Sequence, residues 1–329
     1  MSQTKTSPLK WGILGLGKIA HKMAQDLALS DSSKLHAVAS RSATKAKEFA
    51  STYQVPIALD SYQELCQQPD LDIIYIATPH AFHFEHSMMA LKAGKSVLCE
   101  KPMGMSAQEV QELSAYAQKQ GLFLMEGLWT RFMPATQKVL DLVQSGSIGE
   151  IESIEADFSF KANYDPQGRL FNPNLGGGAL LDIGIYPLYL SLLLLGKAKT
   201  MEIDCIIGET GIDEACDLKL AWSSGAKADL SSSFRKDGPV EAHIIGSKGL
   251  IVMHRRFHHC EKISVENDKE SYSLELPIRG LGYFHEIQAV EKCISEGLIE
   301  SKLHSLENSL HLAQELDRAL ALINAEANS

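Results

Sequence analysis

The sequence predicts a two-domain α/β protein, in which a doubly wound parallel sheet is followed by an α+β domain with a mostly antiparallel sheet. The chain has 329 residues, and single hydrophobic cores stop growing near roughly 250 residues, which favours two domains. Up to about residue 126, short apolar runs alternate with segments of helical spacing; beyond Trp129, strands with one polar face take their place. This change of pattern indicates a change of domain.

The amino-terminal part has the pattern of repeated strand–helix–strand units. Five apolar runs predict strands buried on both faces: Trp11–Leu14, Leu35–Ala39, Ile73–Ala77, Ser96–Cys99 and Phe123–Met125. The segments between them predict helices, among them Ala43–Tyr53, Ala81–Ala93 and Ala107–Gln120. Because parallel strands need helical crossovers that cover both faces of the sheet, we expect a doubly wound parallel sheet.

The carboxy-terminal part predicts an antiparallel sheet flanked by helices. Ile154, Ala156, Phe158 and Phe160 share one apolar face, as in a half-exposed strand. Further strands are expected at Leu218–Trp222, Ala228–Ser232, Glu241–Ile245 and Leu250–Met253, and helices at Thr136–Ser145, Tyr283–Glu296 and Leu306–Ala325.

Composition excludes several classes of function. Hydrophobic residues make up 45% and charged residues 22% of the chain, which is typical of a folded protein. The net charge of −10 argues against broad binding to nucleic acid or anionic membranes. The apolar run Ala179–Leu195 is shorter than the roughly 20 residues that span a bilayer and contains Asp182 and Pro187, so it predicts a buried helix. The first ten residues lack an apolar signal region.

The spacing of the cysteine and histidine residues does not predict a metal site. The six cysteines are spread along the chain without a C-x-x-C pair, which indicates reduced thiols and a cytoplasmic protein. Two groups occur: His80, His83 and His86, and later His254, His258 and His259 with Cys260. Neither matches a closed zinc pattern, so we predict no metal and interpret the second group as a polar strand or turn.

A glycine pattern, Gly15-x-Gly17-x-x-Ala20, follows the first strand and opens the first helix. Gly15 permits a tight turn, Gly17 lets the backbone approach phosphate oxygens, and Ala20 keeps the helix close to the sheet. The helix N-terminus offers N–H groups to an anion. The pattern predicts a Rossmann dinucleotide site that includes Lys18 and Ile19.

We therefore assign residues 1–127 to an NAD(P)-binding Rossmann domain and residues 128–329 to an α+β substrate and oligomerisation domain. The C-terminal helix, residues 305–327, is assigned to the second domain; the alternative is that it packs back on the first domain.

The second strand ends without the carboxylate that an NAD site places on the ribose 2′-hydroxyl. Arg41 follows instead, and its guanidinium could pair with a 2′-phosphate while stacking on the adenine. Ser40, Ser42 and Lys45 could add donors. The sequence thus favours NADP over NAD.

Charged residues also close the strand Ser96–Cys99, which is followed by Glu100, Lys101 and Pro102. The carboxyl ends of parallel strands face the ligand crevice, so Lys101 is a candidate site residue. We do not predict a cis peptide bond between Lys101 and Pro102, because only about 5–6% of X–Pro bonds in folded proteins are cis.

An apolar segment after three consecutive glycines carries Asp182 and Tyr186. If the segment is helical, the two residues lie at i and i+4 on one face. A buried aspartate needs a partner, so Asp182 is hydrogen-bonded to a structural donor or works in a site. Pro187 predicts a kink or a helix start near Tyr186.

Together these motifs resemble the glucose–fructose oxidoreductase and inositol dehydrogenase (Gfo/Idh/MocA) superfamily over nearly the whole chain. The resemblance is carried by Gly15-x-Gly17-x-x-Ala20, Ala77-Thr78-Pro79 with His83, Glu100-Lys101-Pro102, and Gly176-Gly177-Gly178 with Asp182 and Tyr186. The chain is most similar to the dimeric dihydrodiol dehydrogenase and NADP-dependent D-xylose dehydrogenase branch, through residues 122–132 and the tyrosine at 186, where many members carry histidine.

The resemblance implies an NADP-dependent oxidoreductase that interconverts a hydroxyl and a carbonyl group on a small sugar, polyol or trans-dihydrodiol. It implies that Tyr186 is the general acid/base, that Lys101 lies beside it and the nicotinamide ribose, and that Asp182 orients or polarises that pair. A free tyrosine has a pKa near ~10, so a neutral phenol already holds the proton needed for carbonyl reduction. The implied cofactor contacts also include Thr78, Pro79, His83 and Glu100.

Three weaker candidates for the substrate pocket are Trp129, Arg131 and Phe160, of which Trp129 could equally be a packing residue. The resemblance and the Phe158/Phe160 face also suggest a homodimer through the second-domain sheet, although a helix of the same chain could cover that face. Two alternatives remain open: a catalytically silent dinucleotide sensor on the same fold, and an NAD-dependent enzyme of the same class.

Overall fold

The computed structural model describes residues 7–327, and the chain divides into two compact units. The first unit comprises the chain up to Trp129 together with Arg279–Leu310; the second comprises Thr130–Ile278 and the chain from His311 onward. The helices are α1 (Lys18–Leu27), α2 (Ala43–Tyr53), α3 (Tyr62–Cys66), α4 (His83–Lys92), α5 (Ala107–Gln120), α6 (Pro134–Gln144), α7 (Ile185–Leu195), α8 (Tyr283–Ser295) and α9 (Leu306–Ala327).

The first unit contains a parallel sheet with six strands among the described residues. They are β1 (Leu9–Leu14), β2 (Ser33–Ala39), β3 (Ile57–Leu59), β4 (Ile73–Ile76), β5 (Ser96–Glu100) and β6 (Leu124–Gly127). Their order, β3-β2-β1-β4-β5-β6, reverses between β1 and β4. The predicted doubly wound sheet is confirmed, and such a reversal is where these folds bind ligands.

Local signals explain where the helices of this unit begin. The hydroxyls of Ser42, Ser61 and Ser106 are the N-caps of α2, α3 and α5, each accepting a backbone N–H three residues further on at 3.2–3.3 Å. These bonds satisfy N–H groups that have no partner within the helix. α5 ends at Gly121, whose positive φ of 65° suits glycine.

The later segment Arg279–Leu310 joins this unit through a carboxylate on α1. Asp26 is buried and accepts the backbone N–H groups of Leu281, at 2.9 Å, and Phe284, at 3.0 Å. It therefore caps α8 from another helix. Arg279 adds a 3.0 Å bond to the Leu29 carbonyl oxygen and lies over the Phe284 ring.

The second unit contains a mostly antiparallel sheet, as predicted, with eight strands in the described chain. They are β7 (Ile151–Ser159), β8 (Thr200–Ile207), β9 (Asp213–Ala221), β10 (Lys227–Ser233), β11 (Ala242–Gly246), β12 (Gly249–Met253), β13 (Lys262–Asn267) and β14 (Ser271–Glu275). Their order is β14-β13-β12-β11-β7-β10-β9-β8, and β7 and β10 are parallel neighbours.

One face of this sheet is apolar and the other is charged. Ile154 and Leu230 are buried, whereas Glu155, Lys219 and Asp229 are exposed. A π-helical turn, Leu180–Gly184, and α7 pack on β7 and β10. A helix of the same chain thus covers this part of the sheet, which is one of the two alternatives left open by the sequence.

The segment that supplies this cover is the most apolar in the chain. Pro173–Leu195 has the length and hydropathy of a membrane span, but 83% of its most apolar window is buried inside the protein. The predicted buried helix is confirmed. α7 continues the π-helical turn Leu180–Gly184 without a break, because Gly184 has helical dihedral angles. Pro187, which has no backbone N–H to donate, therefore lies directly after a helical irregularity, in agreement with the predicted kink near Tyr186.

Candidate active site and cofactor site

The predicted cofactor residues of the first unit follow the carboxyl ends of four neighbouring strands. Gly15 and Gly17 follow β1, Ser40 and Arg41 follow β2, Thr78 and Pro79 follow β4, and Lys101 follows β5. Since these strands are parallel neighbours in the order β2-β1-β4-β5, the loops lie along one edge of the sheet. That edge is the place where a dinucleotide binds in this class of fold.

The β1–α1 turn has the geometry of a phosphate cradle. Gly15 has a φ of 92°, and a Cβ there would lie 2.8 Å from the Thr78 side chain and 3.0 Å from the Ala77 backbone. Gly17 is the N-cap of α1, and in the described chain a Cβ on it would meet nothing within 4 Å. The turn thus packs on the β4 loop while its outer side is open to an anion, which fits a pyrophosphate.

The β2 loop places Arg41 in solvent and Ser40 inside. Arg41 is exposed, and Ser40 is buried, its hydroxyl accepting the Ser42 N–H at 3.3 Å. Tyr62 lies beside Arg41: burial raises the pKa of the Tyr62 phenol, and Arg41 partly offsets this through its charge and hydrogen bonding. An exposed guanidinium with an aromatic neighbour is suited to an anionic group on adenosine.

His83 is fully buried at the start of α4 rather than open to a ligand. Its Nδ1 lies 2.7 Å from the Pro102 carbonyl oxygen, and its Nε2 lies 2.7 Å from the Thr78 carbonyl oxygen. A neutral imidazole has one N–H and can donate to only one of them. Desolvation lowers the pKa of His83, although the two carbonyls favour its protonated form. His83 therefore connects the β4 loop to the turn that follows Lys101.

Lys101 is buried and lies in a turn held from two sides. On one side is the contact between His83 and Pro102. On the other, the Met103 N–H donates to Glu126 Oε1 at 2.9 Å, and Glu126 also pairs with buried His304 at 3.2 Å. The Lys101-Pro102 peptide bond is cis, which no feature of the sequence predicted.

Glu100, the residue before Lys101, lies in an acidic environment. The Tyr75 hydroxyl donates to the Glu100 carboxylate. Glu286 of α8 is fully buried, and among the described residues its carboxyl oxygens have no hydrogen-bond partner. Burial, together with Glu100 and Asp26, raises the pKa of Glu286 well above its ordinary value. A neutral carboxylic acid is the form that this position favours.

In the second unit, the π-helical turn and α7 carry Asp182 and Tyr186. Asp182 is buried, and the Arg169 guanidinium donates to its Oδ1 at 2.7 Å. The Arg169 side chain is 57% exposed, so the ion pair reaches solvent on one side. The predicted partner of the buried aspartate is therefore a residue 13 positions earlier in the chain.

The start of this helical segment is fixed by another aspartate, Asp213. Its Oδ2 accepts the Leu180 N–H at 2.6 Å. Gly178 has a φ of 132°, and a Cβ on it would lie 2.4 Å from Asp213 Oδ1, so only glycine fits. Burial raises the pKa of Asp213 to about 7, against backbone hydrogen bonds that lower it.

Tyr186 is buried in an aromatic cluster. Its ring centroid lies 5.6 Å from that of Phe158 and 5.0 Å from that of His258. Phe158 and His258 stack on one another with centroids 4.2 Å apart and planes at 14°. His258 and His259 lie in a short 3-10 turn, in agreement with the interpretation of this histidine group as a strand or turn, but His258 is buried beside Tyr186, which that interpretation did not include.

The three weaker pocket candidates lie in different surroundings. Trp129 stacks on Tyr283, with centroids 5.0 Å apart. Phe160 packs with Phe171 and Phe234 in an apolar cluster of the second unit. Burial lowers the pKa of Arg131. Phe160 therefore has a clear packing role, whereas none of these contacts identifies a substrate.

A cleft of about 400 Å³ lies near that cluster, lined among others by Tyr164, Phe171 and the ion pair of Arg235 with Glu214. The residues that line it include neither Asp182 nor Tyr186. The cleft therefore carries no part of the predicted chemistry.

Sequence reasoning missed several residues that hold the site together. They are Arg169, Asp213, Glu126, His304 and His258. Their partners are distant in the chain, up to 178 positions for Glu126 and His304. The acidic residue in the last parallel strand was a usable signal for Glu126, because a buried carboxylate needs donors.

Comparison with known proteins identifies both parts of the chain. Residues 9–128 match a family model described as an oxidoreductase family with an NAD-binding Rossmann fold, and residues 136–252 match the GFO/IDH/MocA C-terminal domain. Trans-1,2-dihydrobenzene-1,2-diol dehydrogenases of Mus musculus and Xenopus tropicalis are 34% and 35% identical. Both matches cover 94% of this chain, and 96% and 97% of those relatives.

Solved structures agree with this assignment. A 3-ketoreductase from Actinomadura kijaniata, in complex with NADP and TDP-benzene, is 27% identical with a TM-score of 0.85, covering 96% of this chain and 98% of that one. An aldose-aldose oxidoreductase from Caulobacter crescentus, complexed with glycerol, is 24% identical with a TM-score of 0.86. The match covers 97% of this chain and 98% of that one. The second likeness supports the fold alone.

Proposed function

The chain belongs to the Gfo/Idh/MocA oxidoreductase family, and we propose that it is an NADP-dependent enzyme acting on a small sugar, polyol or trans-dihydrodiol. It transfers a hydride between the nicotinamide and the carbon of a hydroxyl or carbonyl group. The dihydrodiol and ketone substrates come from relatives named trans-1,2-dihydrobenzene-1,2-diol dehydrogenase and 3-ketoreductase. The sugar and polyol substrates are those that the resemblance to the family implies.

The observation that carries this proposal is the position of Tyr186. The phenol is buried in the first turn of α7, four residues after Asp182, which is itself buried and paired with Arg169. A tyrosine that only packs in the apolar core is not expected to have a buried ion pair so close to it. Charged neighbours are expected beside an acid/base group, because they stabilise its gain and loss of a proton during a reaction.

In the proposed mechanism, Tyr186 donates its proton to the substrate oxygen during reduction and takes it back during oxidation. Lys101 supplies a positive charge that stabilises the phenolate, because an opposite charge within about 4–6 Å favours the ionised form. Asp182 orients this proton transfer, and Arg169 holds Asp182 in place. Burial excludes water and strengthens each of these electrostatic effects.

NADP, when bound, supplies or accepts the hydride. The cradle of Gly15, Gly17 and the N-terminus of α1, including Lys18 and Ile19, would hold its pyrophosphate. The loops carrying Thr78, Pro79, Glu100 and Lys101 would hold its nicotinamide half. His83 is proposed to act by fixing two of those loops, because it is buried between the Thr78 and Pro102 carbonyl groups.

Arg41 supports the preference for NADP over NAD. It is exposed, has Ser40 before it and Ser42 after it, and lies beside Tyr62. A guanidinium at this place can pair with a 2′-phosphate, which NAD lacks. Arg41→Ala should weaken NADP binding by at least about tenfold and leave NAD binding almost unchanged. Equal losses for both cofactors, or tighter NAD binding by the unaltered protein, would argue for the NAD-dependent alternative.

The function is tested by a panel of reactions with NADPH and NADP. The carbonyl substrates are simple sugars and α-hydroxy ketones, and the alcohol substrates are polyols and a trans-dihydrodiol. We expect turnover of at least one class by the unaltered protein and little by Lys101→Met or Tyr186→Phe. Binding of NADP without turnover of any class would instead favour a dinucleotide sensor.

We also propose that the protein is a cytoplasmic homodimer. The six cysteines are free thiols, as expected in a reducing compartment. The dimer would form through the second-unit sheet, as the resemblance to the family implies; the π-helical turn and α7 cover part of the apolar face of that sheet. Light scattering tests the dimer: a mass twice the 36.1 kDa of one chain is expected, and a mass of one chain excludes it.

A further inference from the structure

A histidine ring lies against the proposed acid/base. The ring centroids of His258 and Tyr186 are 5.0 Å apart, and those of His258 and His259 are 4.5 Å apart. His258 is 6% exposed and Tyr186 is 7% exposed, whereas His259 is partly exposed. The three rings thus form a continuous series from a buried phenol toward solvent.

The position of His258 is closely defined. Thr130, which is fully buried, donates its hydroxyl to the His258 carbonyl oxygen at 2.7 Å. The short helix Phe257–His259 begins after Arg256, which has a φ of 64°. On the other side, Phe158 stacks on the imidazole with its plane at 14°. Backbone and side chain therefore both hold the ring where it meets Tyr186.

Packing alone gives no reason for histidine at this place. A phenylalanine would stack on Phe158 equally well, without the cost of burying polar ring nitrogens. Histidine is the side chain that exchanges protons most readily near neutral pH. Its ring contacts two other titratable side chains, Tyr186 and His259.

We propose that His258 relays protons between Tyr186 and solvent, an inference that rests on the proposed role of Tyr186. During reduction the carbonyl carbon gains the hydride and the carbonyl oxygen gains the phenolic proton, which leaves Tyr186 as phenolate. A ring N–H of His258 then gives its proton to the phenolate, so that the phenol O–H bond forms again. The His258 ring takes a proton in turn from His259, and His259 takes the one proton that reduction consumes from hydronium or a buffer acid in solvent. Oxidation uses the same path in reverse.

His258 thus acts through Tyr186 rather than by touching the substrate. Its loss should leave the first hydride transfer intact, because Tyr186 begins that step with its own proton. Each later turnover should be slow, since the buried phenolate must recover its proton without the relay.

The test compares His258→Phe, which keeps the stack on Phe158, with His258→Gln, and uses His254→Phe as the matched control. His254 bonds to the Ser264 hydroxyl at 2.7 Å and belongs to the same part of the sequence. Steady-state rates with NADPH are measured at constant pH and ionic strength with increasing imidazole. We expect a loss of at least about tenfold in both His258 variants, recovered in part by imidazole as a diffusible proton carrier. The unaltered protein and the control should not respond.

Two results would overturn the relay: a normal steady-state rate in either folded His258 variant, or a loss that imidazole does not change. The latter would mean that the ring only supports the packing of Tyr186. Tyr186→Phe separates this inference from the function beneath it. If Tyr186→Phe retains full activity, the proposed function fails; if it is inactive while His258→Phe turns over normally, only the relay fails.

Discussion

Arg169 and Asp182 form a 2.7 Å ion pair one helical turn before Tyr186. The arginine comes from the loop after β7, and the aspartate from the π-helical turn that precedes α7. The pair keeps a buried carboxylate charged next to the residue that we propose to transfer the proton. Its removal should therefore affect the reaction more than the fold.

We predict that Arg169→Gln lowers the turnover number by about tenfold with little change in NADPH affinity. The reason is that the 2.7 Å ion pair no longer holds Asp182 in place beside Tyr186. Arg235→Gln is the matched control, since Arg235 pairs with Glu214 at the same 2.7 Å and is similarly exposed. Equal effects of the two substitutions on the turnover number would show that the Arg169 pair has no special role.

Glu126 should be a positioning residue for Lys101. Glu126→Ala removes the acceptor of the Met103 N–H and leaves buried His304 without its carboxylate, so we expect a stability loss of about 3 kcal/mol or more. Glu126→Gln keeps one acceptor and should lose less. Denaturant unfolding measures the stability, and turnover at saturating NADPH reports the position of Lys101. Glu126→Ala with unchanged turnover would exclude the positioning role.

Asp213 should make stability depend on pH. Its pKa is raised to about 7 in the folded protein, from an ordinary value of 3.8. The folded state therefore binds the proton more tightly, and this contribution is complete below the ordinary value and lost as the pH rises through about 7. Between these values the slope approaches about 1.4 kcal/mol per pH unit.

The measurement is the free energy of unfolding of the protein and of Asp213→Asn across that pH range. Asparagine keeps an acceptor for the Leu180 N–H but cannot titrate. The free energy of unfolding of the unaltered protein, relative to that of Asp213→Asn, should fall as the pH rises from about 4 to about 7. A constant difference would contradict the raised pKa of Asp213.

Asp26 should anchor the returning segment to the first unit. Asp26→Ala leaves the N–H groups of Leu281 and Phe284 without their acceptor, and should cost about 2 kcal/mol in the free energy of unfolding. Asp31→Ala, at an exposed position near the end of α1, should change it by less than about 0.5 kcal/mol. Similar values for both variants would show that the cap contributes little.

Hydrophobic pattern was sufficient to predict five of the six described parallel strands, because each of the five is an apolar run bounded by helical segments. β3 escaped detection since it has only three residues, Ile57–Leu59. β8 and β13 were not predicted either, although both alternate; in β8, polar Glu202 and Asp204 lie between apolar neighbours, which is typical of a half-exposed strand.

A site residue was predictable only where the neighbouring sequence determines its place in the fold. Gly15, Gly17 and Lys101 follow strands directly, so their place follows from the order of the sheet. The partners of Asp182 and Glu126 depend on tertiary contacts that no local pattern encodes. The π-helical turn before Tyr186 is likewise set by packing and by Asp213, although Pro187 did predict a kink nearby.

The most direct test of the account is a single-turnover measurement of hydride transfer by Tyr186→Phe. The variant loses only the phenolic oxygen, and NADPH oxidation can be followed by stopped-flow absorbance with the best carbonyl substrate. We predict a rate lower by a factor of about 10² to 10⁴ with NADPH affinity unchanged. A hydride-transfer rate equal to that of the unaltered protein would contradict the role of Tyr186 as the proton donor.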